Sequence, residues 1–196
     1  MHVLVSGATG LIGSALIPRL VEDGHRATRL VRTAPQGDDL RWDPAAGVLD
    51  PASLEGLDAV VHLAGENIGA GRWTPERKSR IRESRVRGTA LLSEALASLA
   101  DPPQVLVCAS AVGFYGSRGD EVLTEDSPAG SGFLAELCRD WEAAAEPARA
   151  KGLRVVHLRF GMVLSPRGGA LARMLLPFRL GLGGRIGDGG QYWSWI

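Results

Sequence analysis

Lysine is almost missing from this chain. Of its 22 basic residues only Lys78 and Lys151 are lysines, so a mechanism that needs an ammonium group has two positions to draw on. Cysteine is as scarce. Cys108 and Cys138 stand in apolar or helical contexts, which fits reduced, buried thiols and argues against a disulfide frame. The four histidines, His2, His25, His62 and His157, form no HExxH spacing and there is no CxxC, so no metal site is expected. No run of ~18 apolar residues occurs. The opening "MHVLVSGATG" also lacks a cationic region ahead of a long apolar one, so neither a membrane span nor a signal peptide is indicated and the expected location is cytoplasmic. Charge of one sign is absent too: 22 basic and 22 acidic residues leave a formal net charge of zero, which points to neither nucleic acid nor a membrane surface.

What remains is an ordinary globular composition, 45% hydrophobic, in 196 residues, enough for one full domain or for a domain and the start of another. Short β-branched runs alternate with longer amphipathic stretches. Strands are expected at 2–6, 27–31, 59–64, 104–110 and 154–160, with helices at 11–22, 75–99 and 132–151. That alternation predicts an α/β fold, a Rossmann-type doubly wound parallel sheet with helices on both faces. From Gly181 to Gly190, "GLGGRIGDGG" reads as a mobile loop, and the closing "QYWSWI" is an unusual terminus that suggests a longer parent protein. The basic stretch "RKSRIRESRVR" (77–87) carries Ile81 and Val86 at helical spacing and reads as a solvated helix face rather than a nucleic-acid patch.

The chemistry is concentrated at "HVLVSGATGLIGSAL". Gly7, Gly10 and Gly13 lie between the first strand and the first helix, where glycines permit a tight turn, close approach to a pyrophosphate and helix-on-strand packing. Gly7, Ala8, Thr9, Gly10, Leu11, Ile12 and Gly13 are therefore the expected pyrophosphate turn. The second strand ends in "ATRLVRTAP", with Arg29 and Arg32 and no acid. A carboxylate there would hold the ribose 2′-hydroxyl of NAD, whereas an arginine pairs with the 2′-phosphate of NADP, so NADP (NADPH) is the expected cofactor and Arg32 its partner.

The segments "SGATGLIG", "AVVHLAGENI", "SRVRGT", "SAVGFYG" and "LRFGMVLS", in this order, resemble the extended short-chain dehydrogenase/reductase superfamily that includes nucleotide-sugar epimerases. "GFLAELCRDWEAAA" and "GGRIGDGGQYWSWI" narrow the resemblance to atypical epimerase-family proteins labelled nucleoside-diphosphate-sugar epimerases or SulA-like cell-division inhibitors. The resemblance covers essentially the whole chain. It implies an NADP-binding domain over 1–165 and the start of a small C-terminal substrate domain over 166–196. It also implies that Leu63, Ala64 and Gly65 line the adenine and ribose side, with Glu66 and Asn67 at the cleft mouth. Ser110 and Tyr115 would face the nicotinamide, and Arg159, Gly161 and Met162 would close over it. The implied substrate is a small molecule, a sugar nucleotide or another carbonyl compound.

The superfamily's usual catalyst, a Tyr-x-x-x-Lys pair, is not there. Neither Tyr115 nor Tyr192 has a lysine four residues on, and the helix that would carry the pair offers Leu134 and Cys138, or Phe133 and Leu137. An unassisted tyrosine titrates near ~10 and is a weak general base at neutral pH. Ser110, Tyr115 and Glu136 are the remaining catalytic candidates, Glu136 only if burial raises its pKa. Two functions stay open: an NADP-dependent oxidoreductase or epimerase-like enzyme with altered acid/base residues, and a non-catalytic NADP-binding regulatory or interaction protein.

Overall fold

The computed structural model describes every residue except Ala34 and Ile186. The strands are β1 (His2–Ser6), β2 (Arg26–Val31), β3 (Leu40–Asp43), β4 (Val48–Leu49), β5 (Ala59–His62), β6 (Val105–Ala111) and β7 (Arg154–Phe160). The helices are α1 (Gly13–Glu22), α2 (Pro75–Ser98), α3 (Phe133–Ala143), α4 (Glu146–Ala150) and α5 (Gly169–Arg179). One seven-stranded sheet runs in the order β4-β3-β2-β1-β5-β6-β7, and the pairs β1·β2, β1·β5, β2·β3 and β5·β6 are parallel. The expected doubly wound architecture is present.

Alternation along β1 shows how the strands serve two faces. Leu4 joins Leu30, Trp42, Val60, Leu92, Leu96 and Ala148 in the larger core, beneath α2 and α4. Val3 and Val5 join Ala59 in a second cluster packed by Leu16, Ile17 and Leu20 of α1. The sheet is thus covered on both sides, which explains why its strands read as continuous apolar runs.

Three departures from the sequence expectation have local causes. The β3–β4 hairpin over "LRWDPAAGVL" was not among the expected strands, because each strand is too short to show a period; β4 has two residues. The helix expected over 132–151 is divided into α3 and α4, since Pro147 in the first turn of α4 has no N–H to continue the ladder. Helix α5 was not expected. It has no buried residue, so its apolar side chains give no core signal to read.

The chain divides into two compact units. The first comprises Met1–Ala109 with Asp140–Leu158, and the second Ser110–Arg139 with Arg159–Ile196. Within the second, Met162 donates its N–H to Ser194 at 2.7 Å and accepts from Ile196 at 3.1 Å, while Leu164 donates to Ile196 at 2.9 Å. Trp195 forms an isolated parallel bridge with Met162 there.

In the core of the first unit one polar chain is fully enclosed. The Ser6 hydroxyl lies 2.7 Å from His62 Nδ1, His62 Nε2 lies 3.0 Å from the Thr89 hydroxyl, and Trp141 Nε1–H donates to that hydroxyl at 3.0 Å. Each side-chain polar atom of Ser6, His62, Thr89 and Trp141 has a partner, as burial requires. Burial lowers the His62 pKa from 6.5 to about 4, so the ring is neutral over the physiological range. An unfolded chain takes up this proton near pH 6.5 and the folded one only near 4, so the folded state loses stability as pH falls through that window. The shift corresponds to about 3 kcal/mol. Urea titrations between pH 7 and 4 are expected to show a loss of this size, reduced in His62→Gln; an unchanged pH slope in the variant would contradict the assignment.

Candidate functional site

The turn after β1 is built by backbone contact. Gly7 has φ of 69°, and a Cβ placed on it would lie 2.7 Å from the Leu63 carbonyl carbon and 2.8 Å from the Ala64 nitrogen. A Cβ on Gly13 would overlap the Gly7 carbonyl oxygen and lie 2.9 Å from Ala8 Cα. The turn is closed by Gly10 N–H donating to Gly7 C=O at 2.9 Å and by Ser14 N–H donating to Gly10 C=O at 2.9 Å. Helix α1 then begins with no side-chain cap, and among the described residues no protein acceptor serves the N–H groups of Leu11 and Ile12. Free donors at a helix start, in a turn with no Cβ in the way, are what a pyrophosphate needs. The residues present fit the group expected from sequence.

Ser6 fixes the facing strand. Its hydroxyl accepts from the N–H groups of Leu63 at 3.1 Å and Ala64 at 3.3 Å, so the polar chain through His62 and Thr89 ends directly beneath the turn. The loop beyond is held from α2. Arg85 donates to the Glu66 carbonyl at 3.0 Å and stacks on the Trp141 ring at 5.0 Å, with its guanidinium packed under Gly65. Arg77 donates to the Asn67 carbonyl and has Glu66 at 3.9 Å. Arg77 is only 8% exposed, which corrects the reading of 77–87 as a solvated face: part of that stretch is an internal clamp.

These elements enclose a cleft of about 660 Å³. Gly7, Ala8, Thr9 and Gly10 line it together with Arg32, Leu63, Ala64, Gly65 and Glu66, so the predicted residues of the first unit converge. Leu11, Ile12 and Gly13 continue from that turn into α1. Sequence reasoning missed the opposite wall, made of Trp42–Ala45 and of Arg80, Glu83, Ser84 and Arg87 on α2. The spacing of those four helical residues, one face of a helix, was the available signal. Arg32 is exposed at the cleft and has no ion-pair or hydrogen-bond partner among the described residues. Arg29 is not equivalent to it. Its guanidinium grips Asp39 through two hydrogen bonds of 2.7 and 2.6 Å and holds that carboxyl below the usual carboxylate range.

Ser110, Tyr115, Glu136, Arg159, Gly161 and Met162 belong to the second unit. Ser110 is 3% exposed at the end of β6. The Tyr115 hydroxyl accepts from Arg159 Nη1 at 2.9 Å, and the guanidinium lies 3.6 Å from the centre of the Phe114 ring. Gly161 has no room for a side chain, because its Cβ would lie 2.6 Å from the Ser194 carbonyl oxygen. Met162 holds that same segment by its backbone. Glu136 stands exposed on α3, so the burial its role as a base required is absent. The buried positions of that helix are apolar: Ala135, Leu137 and Cys138. Neither cysteine is in a disulfide and both are buried, and burial pushes the Cys108 thiol up to about 12, which makes it unreactive.

A model of the NAD dependent epimerase/dehydratase family matches residues 3–196. The chain belongs to that family. An epimerase family protein of Mycobacterium tuberculosis is 48% identical over 195 residues, covering 99% of this chain and 64% of that protein. Human epimerase family protein SDR39U1 is 41% identical over 199 residues, covering 100% of this chain and 66% of that protein. Among solved structures, the nucleoside-diphosphate sugar epimerase of Corynebacterium glutamicum matches with a TM-score of 0.88 at 43% identity, over 100% of this chain and 41% of that one. Human SDR39U1 (isoform 2), solved with NADPH, matches with a TM-score of 0.85 at 40% identity, over 100% of this chain and 65% of that one. This epimerase-family chain therefore spans less than two thirds of the length of the mycobacterial relative, at 64%.

The turn's dependence on glycine is measurable. Gly13→Ala forces a Cβ against fixed backbone and is expected to cost about 2–3 kcal/mol in urea unfolding. Gly24, with φ of 81° but open space around its Cβ, provides the contrast. Gly24→Ala should cost only about 1 kcal/mol of backbone strain.

Proposed function

We propose that this chain is an NADP-binding oxidoreductase or nucleotide-sugar-epimerase-like protein of the extended short-chain dehydrogenase/reductase superfamily. The observation that carries the reading is the glycine cradle with Arg32, which has no partner among the described residues, at its β2 side. The nearest acids do not compete for a ribose: Asp38 pairs with Arg26 at 2.9 Å and Asp39 with Arg29. The turn from Gly7 to Gly13 would hold the pyrophosphate, Leu63, Ala64 and Gly65 the adenosine side, and Arg32 the 2′-phosphate. That a relative at 40% identity was solved with NADPH supports this cofactor. Bound there, the nicotinamide supplies a hydride donor or acceptor; the chain's own residues orient it, exclude water and handle the proton.

Residues 1–165 would then be the cofactor-binding part and 166–196 the beginning of a substrate-binding region. For the proton, Ser110 and Tyr115 are the candidates. Arg159 fixes the Tyr115 hydroxyl, and its permanent charge leaves that hydroxyl's own proton free to be donated. The substrate class is a small carbonyl compound or a sugar nucleotide. MoeE5, similar at 26% identity with a TM-score of 0.74, was solved with UDP-glucuronic acid and NAD. One observation favours a second reading, a non-catalytic NADP-binding regulatory protein. Helix α3 carries Phe133, Leu134, Leu137 and Cys138 where the Tyr and Lys of the usual catalyst belong.

Titration of NADPH and NADH into the wild type and Arg32→Ala tests the cofactor assignment. Loss of the 2′-phosphate partner should weaken NADPH about tenfold or more and leave NADH within about twofold. An NADPH preference that survives Arg32→Ala overturns it. Oxidation of NADPH with any member of a panel of sugars, aldehydes and ketones selects the enzyme, and none across the panel selects the binder.

A further inference from the structure

The α2 wall of the cleft carries a cation that the nucleotide turn does not account for. Arg87 is exposed and lines the cleft, and its Nη2 donates to the Ala45 carbonyl at 3.0 Å, in the turn that follows β3. The register of the sheet says what lies across from it. Val31 of β2 pairs with Arg41 of β3, so one residue further on Arg32 stands level with Trp42 and two before Pro44. Gly88, the neighbour of Arg87, has both the Trp42 ring and Pro44 within van der Waals reach of its Cβ position, at 3.5 and 3.8 Å. Arg32 at the end of β2 and Arg87 on α2, tied to the turn after β3, therefore line the same cleft from different elements.

The cleft's carboxylates, Asp43, Glu66 and Glu83, each have a protein partner, Glu66 in Arg77 at 3.9 Å. Asp43 turns into its own loop and accepts from the N–H groups of Ala45 and Ala46 at 3.0 and 3.2 Å. Glu83 accepts from the Ser79 hydroxyl at 2.8 Å. A guanidinium held at one nitrogen by a backbone carbonyl retains its other donors and has lost part of its conformational freedom already, which suits it to an anion.

We propose that Arg87 is the second cation of a two-arginine site for a phosphate monoester, the 2′-phosphate of adenosine, with Arg32 as the first. The inference rests on the NADP reading above and adds a specificity residue that lies on a different element. A phosphate monoester near neutral pH carries close to two negative charges, and two guanidiniums from opposite walls match it better than one at the end of β2.

The test uses the full chain with 2′,5′-ADP and 5′-AMP as probes, which share the adenosine and the 5′-phosphate and differ only in the 2′-phosphate. Arg87→Met should weaken 2′,5′-ADP about tenfold and 5′-AMP by no more than about twofold, with Arg87→Lys recovering part of the loss. Thermal unfolding of each variant separates this from a damaged fold. Two results overturn the role of Arg87: an unchanged preference for 2′,5′-ADP in Arg87→Met, or an equal loss of both probes, which would mean that the bond to Ala45 serves structure alone. A wild type that does not prefer 2′,5′-ADP overturns the NADP reading itself, and so fails in a distinguishable way.

Discussion

The Gly7 carbonyl oxygen occupies the space where a side chain on Gly13 would begin, and the Leu63–Ala64 peptide occupies the space where one on Gly7 would begin. This approach of three backbone segments is what the nucleotide end of the sheet depends on. It cannot be maintained by side-chain packing at the point of contact, because there are no side chains there. The holding force comes from behind, through Ser6. Its hydroxyl ties the ends of β1 and β5 together by accepting from Leu63 and Ala64, and is itself fixed by His62, Thr89 and Trp141. A buried hydrogen-bonded chain is costly if broken and rigid if complete, so it suits a place where a small displacement would close the turn.

The same economy explains the arginines of α2. Lysine would be a poor substitute for Arg85, which must donate to a carbonyl while its flat face lies against Trp141 and Gly65. Arg77, nearly buried, would be an expensive isolated charge, and it is tolerable because the Asn67 carbonyl and the Glu66 carboxylate share its environment. Arg82 pairs with Asp140 across to α3, partly exposed, and contributes correspondingly little. One basic stretch thus divides into an internal clamp, a surface pair and a cleft wall. A helix that seems to carry a single charge pattern is performing three separate tasks on three of its faces.

That division also shows what sequence can and cannot give. The glycine turn was legible because each glycine answers to one steric demand at a fixed spacing, and Arg32 because strand ends are few. The strands β1, β2, β5, β6 and β7 were legible from their apolar runs; β3 and β4 were not, since "LRWD" interrupts its apolar residues with charge and β4 has only two residues. The burial of Arg77 was hidden for a different reason. Charged residues at helical spacing look alike whether the carbonyls that receive them lie in solvent or in a loop folded back from elsewhere. Glu136 illustrates the reverse: its helix is amphipathic, but its position among Ala135, Leu137 and Cys138 puts it on the outer face, a matter of one residue in register.

The near absence of lysine bears last on the chemistry. In the usual catalyst a lysine both charges the site and can exchange protons; an arginine supplies the first and not the second, because its guanidinium stays protonated in proteins. Arg159, stacked on Phe114 and bonded to Tyr115, is therefore a positioning group and an electrostatic one, and cannot be the end of a proton relay. A proton that left Tyr115 could not be replaced from Arg159. A reaction on such a site is favoured when the proton transfer is easy and the hydride transfer, governed by how the nicotinamide is held, is the demanding step.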